Sequence, residues 1–333
     1  MTQIIQHGGN LHEAAHRYDI PYDAWLDLST GINPHGYPVP PVPADAWRRL
    51  PDNGDGFAER AARYYGAPDA SHVLPVAGSQ AAIRALPPLL SRGTVGIAPL
   101  TYGEYAPAFA RAGHRVTTLD VACAVLPDEL THVVVVNPNN PTAEHLSAQT
   151  LLQWHATLNA RGGTLIVDEA FADALPSQSI AAQTYREGLV VLRSPGKFFG
   201  LAGVRAGFVL ARPRLLESLD DTLGAWTVSG PARHAVSAAF ADTAWQAAMR
   251  AQLASESARL AALLSAHRFP VHATPLFAWI ADARAVRVHR ALAAQGIWTR
   301  FFARPASVRF GLPATDSEWD RLEAALHRTM TTL

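Results

Sequence analysis

His132-Val133-Val134-Val135-Val136-Asn137-Pro138-Asn139-Asn140-Pro141-Thr142 passes from an unbroken apolar run into a proline-stiffened polar turn. An uncharged run of this length reads as a strand buried on both faces, and the asparagines and prolines end it sharply. The pattern recurs on either side. Strand-sized apolar runs stand at residues 95–98, 115–119, 164–167, 189–192 and 206–210. Helical patterns stand between them at 79–90, 105–112 and 147–160. Strands that alternate with helices predict an α/β chain with a mostly parallel, doubly wound sheet, whose ligands sit beyond the carboxyl ends of the strands.

The remainder divides around this block. Residues 1–45, rich in Gly, Pro and Asn, read as an extended arm with turns that packs near the site. Residues 46–225 form the large domain, opening with a helix near 56–65. Residues 226–333 read as a linker helix over 229–267, interrupted near Asp242, followed by a small α/β domain. Its strands are expected at 276–280, 297–301 and 308–310, and its helices at 285–295 and 317–329.

Composition limits the function. Of 333 residues 49% are hydrophobic and 17% charged, with a formal net charge of zero, so no broad positive field draws nucleic acid or an anionic membrane. Any bound anion must be held by a few placed arginines. The one cysteine, Cys123, rules out an internal disulfide framework and a cysteine-built metal site. The first ten residues lack the pattern of a signal peptide and the longest apolar runs fall short of a bilayer span, so a cytoplasmic protein is expected. Lys197 is the only lysine. Arginine can replace an exposed lysine almost freely, but not one whose neutral amine must react, because guanidinium stays protonated.

Four elements at predicted strand ends carry candidate chemistry. Gly78-Ser79-Gln80 opens a helix, where backbone N–H groups and the Ser79 hydroxyl suit a phosphate. The same pattern is also an ordinary N-cap. The asparagine turn ending at Asn140 is the second. Asp168, closing the run 164–168, is either a carboxylate at the sheet rim or the partner of a protonated ring nitrogen. Ser194-Pro195-Gly196-Lys197, with Arg205 eight residues on, joins a second anion grip to an amine able to form a Schiff base.

In this order and spacing the set resembles the fold-type-I pyridoxal-phosphate enzymes, the aspartate-aminotransferase superfamily, across nearly the whole chain. The resemblance implies pyridoxal 5'-phosphate as cofactor, with Lys197 as its Schiff-base lysine and Asp168 at the ring nitrogen. It further implies Tyr102, in Pro99-x-x-Tyr102-x-Glu104-Tyr105, stacked on the ring, and Asn140 donating to the ring oxygen. Gly78, Ser79, Gln80, Ser194 and Arg205 would surround the phosphate, and Arg309 would hold a substrate carboxylate. The alternative for Arg309 is a strand arginine paired with a surface acid.

His7-Gly8-Gly9-Asn10 and Asp27-Leu28-Ser29-x-x-Ile32-Asn33-Pro34 resemble, more narrowly, the L-threonine-O-3-phosphate decarboxylases of cobalamin biosynthesis. That resemblance implies a small phosphorylated amino acid as substrate, loss of CO2, a homodimer, and His7, Asn33 and Arg300 near the substrate. His7 reads equally well as an arm residue beside its glycine turn. Histidinol-phosphate aminotransferases share the central pattern but commonly carry tyrosine where Phe171 stands, and a tyrosine there can hydrogen-bond the ring oxygen. The rivals are therefore a histidinol-phosphate-like aminotransferase and a non-catalytic sensor or scaffold on the same fold. Leu50 stands where relatives often have a tyrosine that reaches the partner subunit, and Ala143 where a glycine often ends the asparagine turn. The second change is mild if the backbone at Ala143 is not left-handed.

Overall fold

The structure is a computed structural model that describes residues 8–123 and 125–331. In chain order its strands are β1 (Leu26–Asp27), β2 (Val73–Val76), β3 (Thr94–Ile97), β4 (Arg115–Thr118), β5 (Leu130–Val136), β6 (Thr164–Asp168), β7 (Leu189–Arg193), β8 (Gly207–Leu210), β9 (Val271–Thr274), β10 (Phe277–Ala281), β11 (Ile297–Trp298), β12 (Arg300–Ala303) and β13 (Ala306–Gly311). The described residues form two compact units, one of residues 37–123, 125–140 and 144–247, the other of residues 8–36, 141–143 and 248–331.

The first unit is built on a seven-stranded sheet in the order β2-β8-β7-β6-β5-β3-β4. Strands β4, β3, β5, β6 and β7 run parallel, whereas β8 is antiparallel to both β7 and β2. The middle strands β5, β6 and β7 are almost wholly buried, which explains their uninterrupted Val, Leu and Ile. The doubly wound α/β expectation holds. The register then sets the site: Val136 of β5 pairs with Asp168 of β6, and Asp168 with Leu192 of β7. The asparagine turn, Asp168 and Ser194–Lys197 therefore leave the sheet at one edge. The reversal of β8 brings its beginning to that same edge, with Gly207 beside Val76.

A buried ion cluster locks this edge. Arg193, the last residue of β7, donates to Glu169, just past β6, and to Asp173. All three are at most 3% exposed. Glu169 also accepts from the Ile180 amide at 2.9 Å and from the Ser179 hydroxyl, and the guanidinium lies 4.4 Å from the centre of the Tyr65 ring. One arginine offsets the burial of both carboxylates.

The second unit holds a four-stranded antiparallel sheet, β12-β13-β10-β9, and a parallel pair, β1 with β11. Helices Ala285–Ala293 and Asp316–Thr331 belong to it. The segment read as an extended arm is corrected here: Leu11–Tyr18 is a helix and Leu26–Asp27 a strand. Leu11, Ala14, Ala15 and Tyr18 recur at helical spacing and pack with Trp25, Ala293 and Trp298, so the segment shares a core with the C-terminal residues of the same unit.

Other boundaries moved for local reasons. The helix expected over 79–90 stops at Ala85, because the Pro87-Pro88 pair cannot continue it, and a short 3-10 turn follows. The strand expected over 297–301 breaks at Thr299 into β11 and β12, which join different sheets. The long helix divides at Asp242, as expected, into Gly230–Ala241 and Thr243–Ala266. No described helix is long and apolar enough to cross a membrane.

Ala143 has φ 63°, so the condition for a mild change is not met. The left-handed conformation costs an L-residue about 1–2 kcal/mol. Ala143→Gly should raise stability by about 1 kcal/mol after allowing for the looser unfolded chain. Chemical denaturation of the two proteins side by side checks this, and an unchanged or lower midpoint contradicts it.

Candidate active site

The phosphate turn is built by the sheet itself. Gly78 has φ 76°, and a Cβ there would lie 2.8 Å from Nη2 of Arg205. A Cβ on Gly207 would lie 2.5 Å from the Ser79 amide nitrogen. Both positions need glycine so that the turn can close on β8 and receive the guanidinium. Arg205 itself adopts φ 56°, a strained conformation for a residue with a side chain, and donates to the Ala202 carbonyl at 3.1 Å. A left-handed arginine aimed at the opening of helix Ser79–Ala85 has the chemistry of an anion grip.

Asp168 lies at the floor of this edge, 3% exposed. Its Oδ2 accepts from the Tyr105 hydroxyl at 2.7 Å and its Oδ1 from the Ala170 amide at 3.0 Å. Burial pushes its carboxyl above the ordinary range, and Tyr105, the Ala170 amide and the Lys197 charge pull it back. Such a carboxylate is poised to receive a proton-bearing ring nitrogen. Lys197 is half-buried in the short helix Pro195–Phe198, with Ser194 at its N-cap position, and its Nζ lies 5.6 Å from the centre of the Phe171 ring. A phenylalanine, with no hydroxyl to offer, thus stands beside the amine.

The asparagine turn is pinned from within. Asn137 exchanges side-chain bonds with the Leu146 backbone at 3.0 and 2.8 Å. Asn139 donates to the Leu100 carbonyl at 2.9 Å and accepts from the Thr101 hydroxyl at 2.6 Å. Asn140 follows, half-buried. Tyr102 donates to Gln80 Oε1 at 3.0 Å, and burial, helped by Asp168 and Glu104, pushes its phenol up to about 12. The structure therefore brings Gly78, Ser79, Gln80, Tyr102, Asn140, Asp168, Ser194, Lys197 and Arg205 into one unit at one sheet edge. The fit to pyridoxal phosphate is good on three observations: the close Gly78–Arg205 approach, the doubly bonded buried carboxylate, and the amine beside an aromatic ring.

The expected substrate residues lie in the other unit. Arg309 is 5% exposed and donates to the Ser29 carbonyl. Burial lowers its guanidinium to about 10, with Arg300 adding to the effect. Arg300 and Arg309 are register partners across β12 and β13, so two like charges stand on one face, an arrangement that an anion relieves. Asn33 is buried, and its Oδ1 accepts from the His35 amide at 2.9 Å. Within the same unit an open cleft of about 600 Å³ is lined by Gly8, Gly9, Arg17, His289, Arg290 and Arg300. Burial and those three arginines depress His289 to about 4. His7 lies outside the described residues.

Sequence reading gave no role to Tyr105, Glu104, Glu169, Arg193 or Asp173. A tyrosine three residues after Tyr102, at a helix start, was the available signal for Tyr105. The ion cluster left no local signal, because its members are spread over three segments.

Comparison with known proteins places the chain. The family model for aminotransferase class I and II matches residues 46–326. The threonine-phosphate decarboxylase of Pseudomonas aeruginosa is 49% identical over 326 residues, covering 97% of each chain. That of a Sinorhizobium species is 43% identical, covering 96% of this chain and 97% of that protein. Among solved structures, histidinol-phosphate aminotransferase from Sinorhizobium meliloti in complex with pyridoxal-5'-phosphate superposes with a TM-score of 0.80, covering 99% of this chain and 96% of that one, at 18% identity, a likeness of fold alone. With the anion turn, the strand-end acid and the lone lysine arranged on this sheet, the chain belongs to the aminotransferase class I and II family.

Proposed function

We propose that the chain is a pyridoxal-phosphate-dependent threonine-phosphate decarboxylase, converting L-threonine O-3-phosphate to (R)-1-amino-2-propanol O-2-phosphate and CO2 for cobalamin biosynthesis, in the cytoplasm and as a homodimer. The full-length likeness to the Pseudomonas aeruginosa protein of that name carries the substrate assignment. The Phe171 ring beside Lys197 supports it over the transaminating alternative. For the dimer, Trp47, Leu50 and Trp226 offer large apolar surfaces, each more than 60% exposed, that a second copy would cover.

Bound at this edge, pyridoxal phosphate supplies an electron-withdrawing ring for the pair left on Cα when CO2 departs. Gly78, Ser79, Gln80, Ser194 and Arg205 hold the phosphate, and Asn140 donates to the ring oxygen. Tyr102 stacks on the ring and excludes water from that face. Asp168 keeps a proton on the ring nitrogen, which requires its carboxyl to be ionised against the effect of burial. Tyr105 and the Ala170 amide make that ionisation possible. Lys197 would anchor the cofactor and could return a proton to Cα. By the resemblance, Arg309 would take the substrate carboxylate, and Arg300, Asn33 and His7 would serve its phosphate end. Holding both anionic ends would let these residues choose which bond at Cα the cofactor's ring assists in breaking.

Incubation with threonine phosphate should release CO2 without keto acid, and threonine itself should react poorly. Arg309→Ala should lose most turnover, and Arg300→Ala should chiefly weaken substrate binding by about 1.5–3 kcal/mol. Faster conversion of histidinol phosphate with 2-oxoglutarate would overturn the substrate assignment and leave the cofactor assignment standing.

The Tyr105–Asp168 bond generates a pH prediction. Removing the hydroxyl takes a donor from the ionised carboxyl, so its protonation moves to higher pH. Tyr105→Phe should therefore shift the acid limb of kcat/KM upward and lower the rate about tenfold at that limb, since a hydrogen bond to a charged group is lost. An unshifted profile would remove Tyr105 from the mechanism.

A further inference from the structure

Glu104 occupies the N-cap position of helix Tyr105–Arg111, where an acid ordinarily accepts from the first helical N–H groups. Its side chain makes no such bond. It is 4% exposed, accepts from Nε2 of Gln80 at 2.8 Å, and pairs with Nη2 of Arg84 at 3.4 Å. Gln80 in turn accepts the Tyr102 hydroxyl at Oε1. An amide has one donating and one accepting end, whereas an ionised carboxylate only accepts. Glu104 therefore dictates which way Gln80 faces. The NH2 must point to the acid, the carbonyl is left for Tyr102, and the phenol must donate. With its phenol pushed up to about 12, Tyr102 keeps that proton at neutral pH.

The two ends of this chain of bonds matter. Gln80 lies in the first turn of the helix opened by Gly78, and Tyr102 is the ring assigned above to stacking. We infer that Glu104 is a positioning residue for the cofactor site: by orienting the Gln80 amide it ties the Tyr102 ring to the phosphate turn. The inference rests on the pyridoxal-phosphate reading of this edge. Glutamine at position 104 can either donate or accept, so Glu104→Gln removes the imposed orientation while keeping the shape.

The test is a double-mutant cycle read by binding. Pyridoxamine 5'-phosphate, which forms no bond to Lys197, is titrated against the cofactor-free protein by tryptophan fluorescence. Glu104→Gln should weaken its binding about fivefold, the scale of one imperfect hydrogen bond. In a Tyr102→Phe background the same change should have almost no effect, because the acid acts through that hydroxyl. Equal affinity in wild type and Glu104→Gln overturns the proposal, as does an equal loss in both backgrounds, which a merely structural role would give. If Glu104→Gln does not fold, Glu104→Ala enters the cycle in its place, with the same non-additivity expected and additivity overturning the inference. Failure of the wild type to bind the probe would overturn the cofactor reading, and the inference with it.

Discussion

The salt cluster of Arg193 with Glu169 and Asp173 is the constraint on which the catalytic edge depends. Its members flank the reacting groups in sequence: Glu169 follows Asp168, and Arg193 precedes Ser194. Locking the first pair locks the second. Burying one charge alone costs several kcal/mol, and removing one member of a buried cluster costs about 3–5 kcal/mol because the others are left uncompensated. The three charges must therefore stay together, and the ends of β6 and β7 with them. The Glu169 amide, bonded to the Leu192 carbonyl at 2.9 Å, continues the same strand pairing in the backbone.

On this base the site uses polar side chains in two ways. Tyr105 and the Ala170 amide supply donors to a carboxyl that burial pushes upward, and draw it back down. Gln80, itself bonded to Glu104, supplies an acceptor to the Tyr102 phenol. One tyrosine bonds a carboxylate and the other an amide. They stand three residues apart across a helix start, which directs them to different partners.

Much of this was legible in the sequence, for identifiable reasons. Buried parallel strands leave apolar runs, so the central sheet could be placed, and a lysine in a chain otherwise free of lysine marks itself. Motif order placed Gly78, Asp168, Lys197 and Arg205 at strand ends. Helix Leu11–Tyr18 was missed because its apolar face is small, its alanines and a tyrosine being set among His, Glu and Arg. The break at Thr299 was missed because one apolar run feeds two sheets, and only tertiary pairing divides it. The left-handed Ala143 contradicts its residue type, so only the coordinates reveal it. Arg193 was hidden differently: an arginine closing a strand looks like a surface residue until two distant acids are seen around it.

The reversal of β8 has a consequence for how the enzyme comes into being. Strand β2, which ends in the phosphate turn, hydrogen-bonds in the sheet only to β8, and Arg205 immediately precedes that strand. A nascent chain that has emerged as far as Lys197 already possesses its reactive amine and Asp168, but β2 still has no neighbour and the phosphate no arginine. The pairing of β2 with β8 is therefore late and long-range, the kind of step that loop-closure entropy makes slow. Chain order and topology together leave the turn at Gly78 unbraced until β8 closes the large sheet.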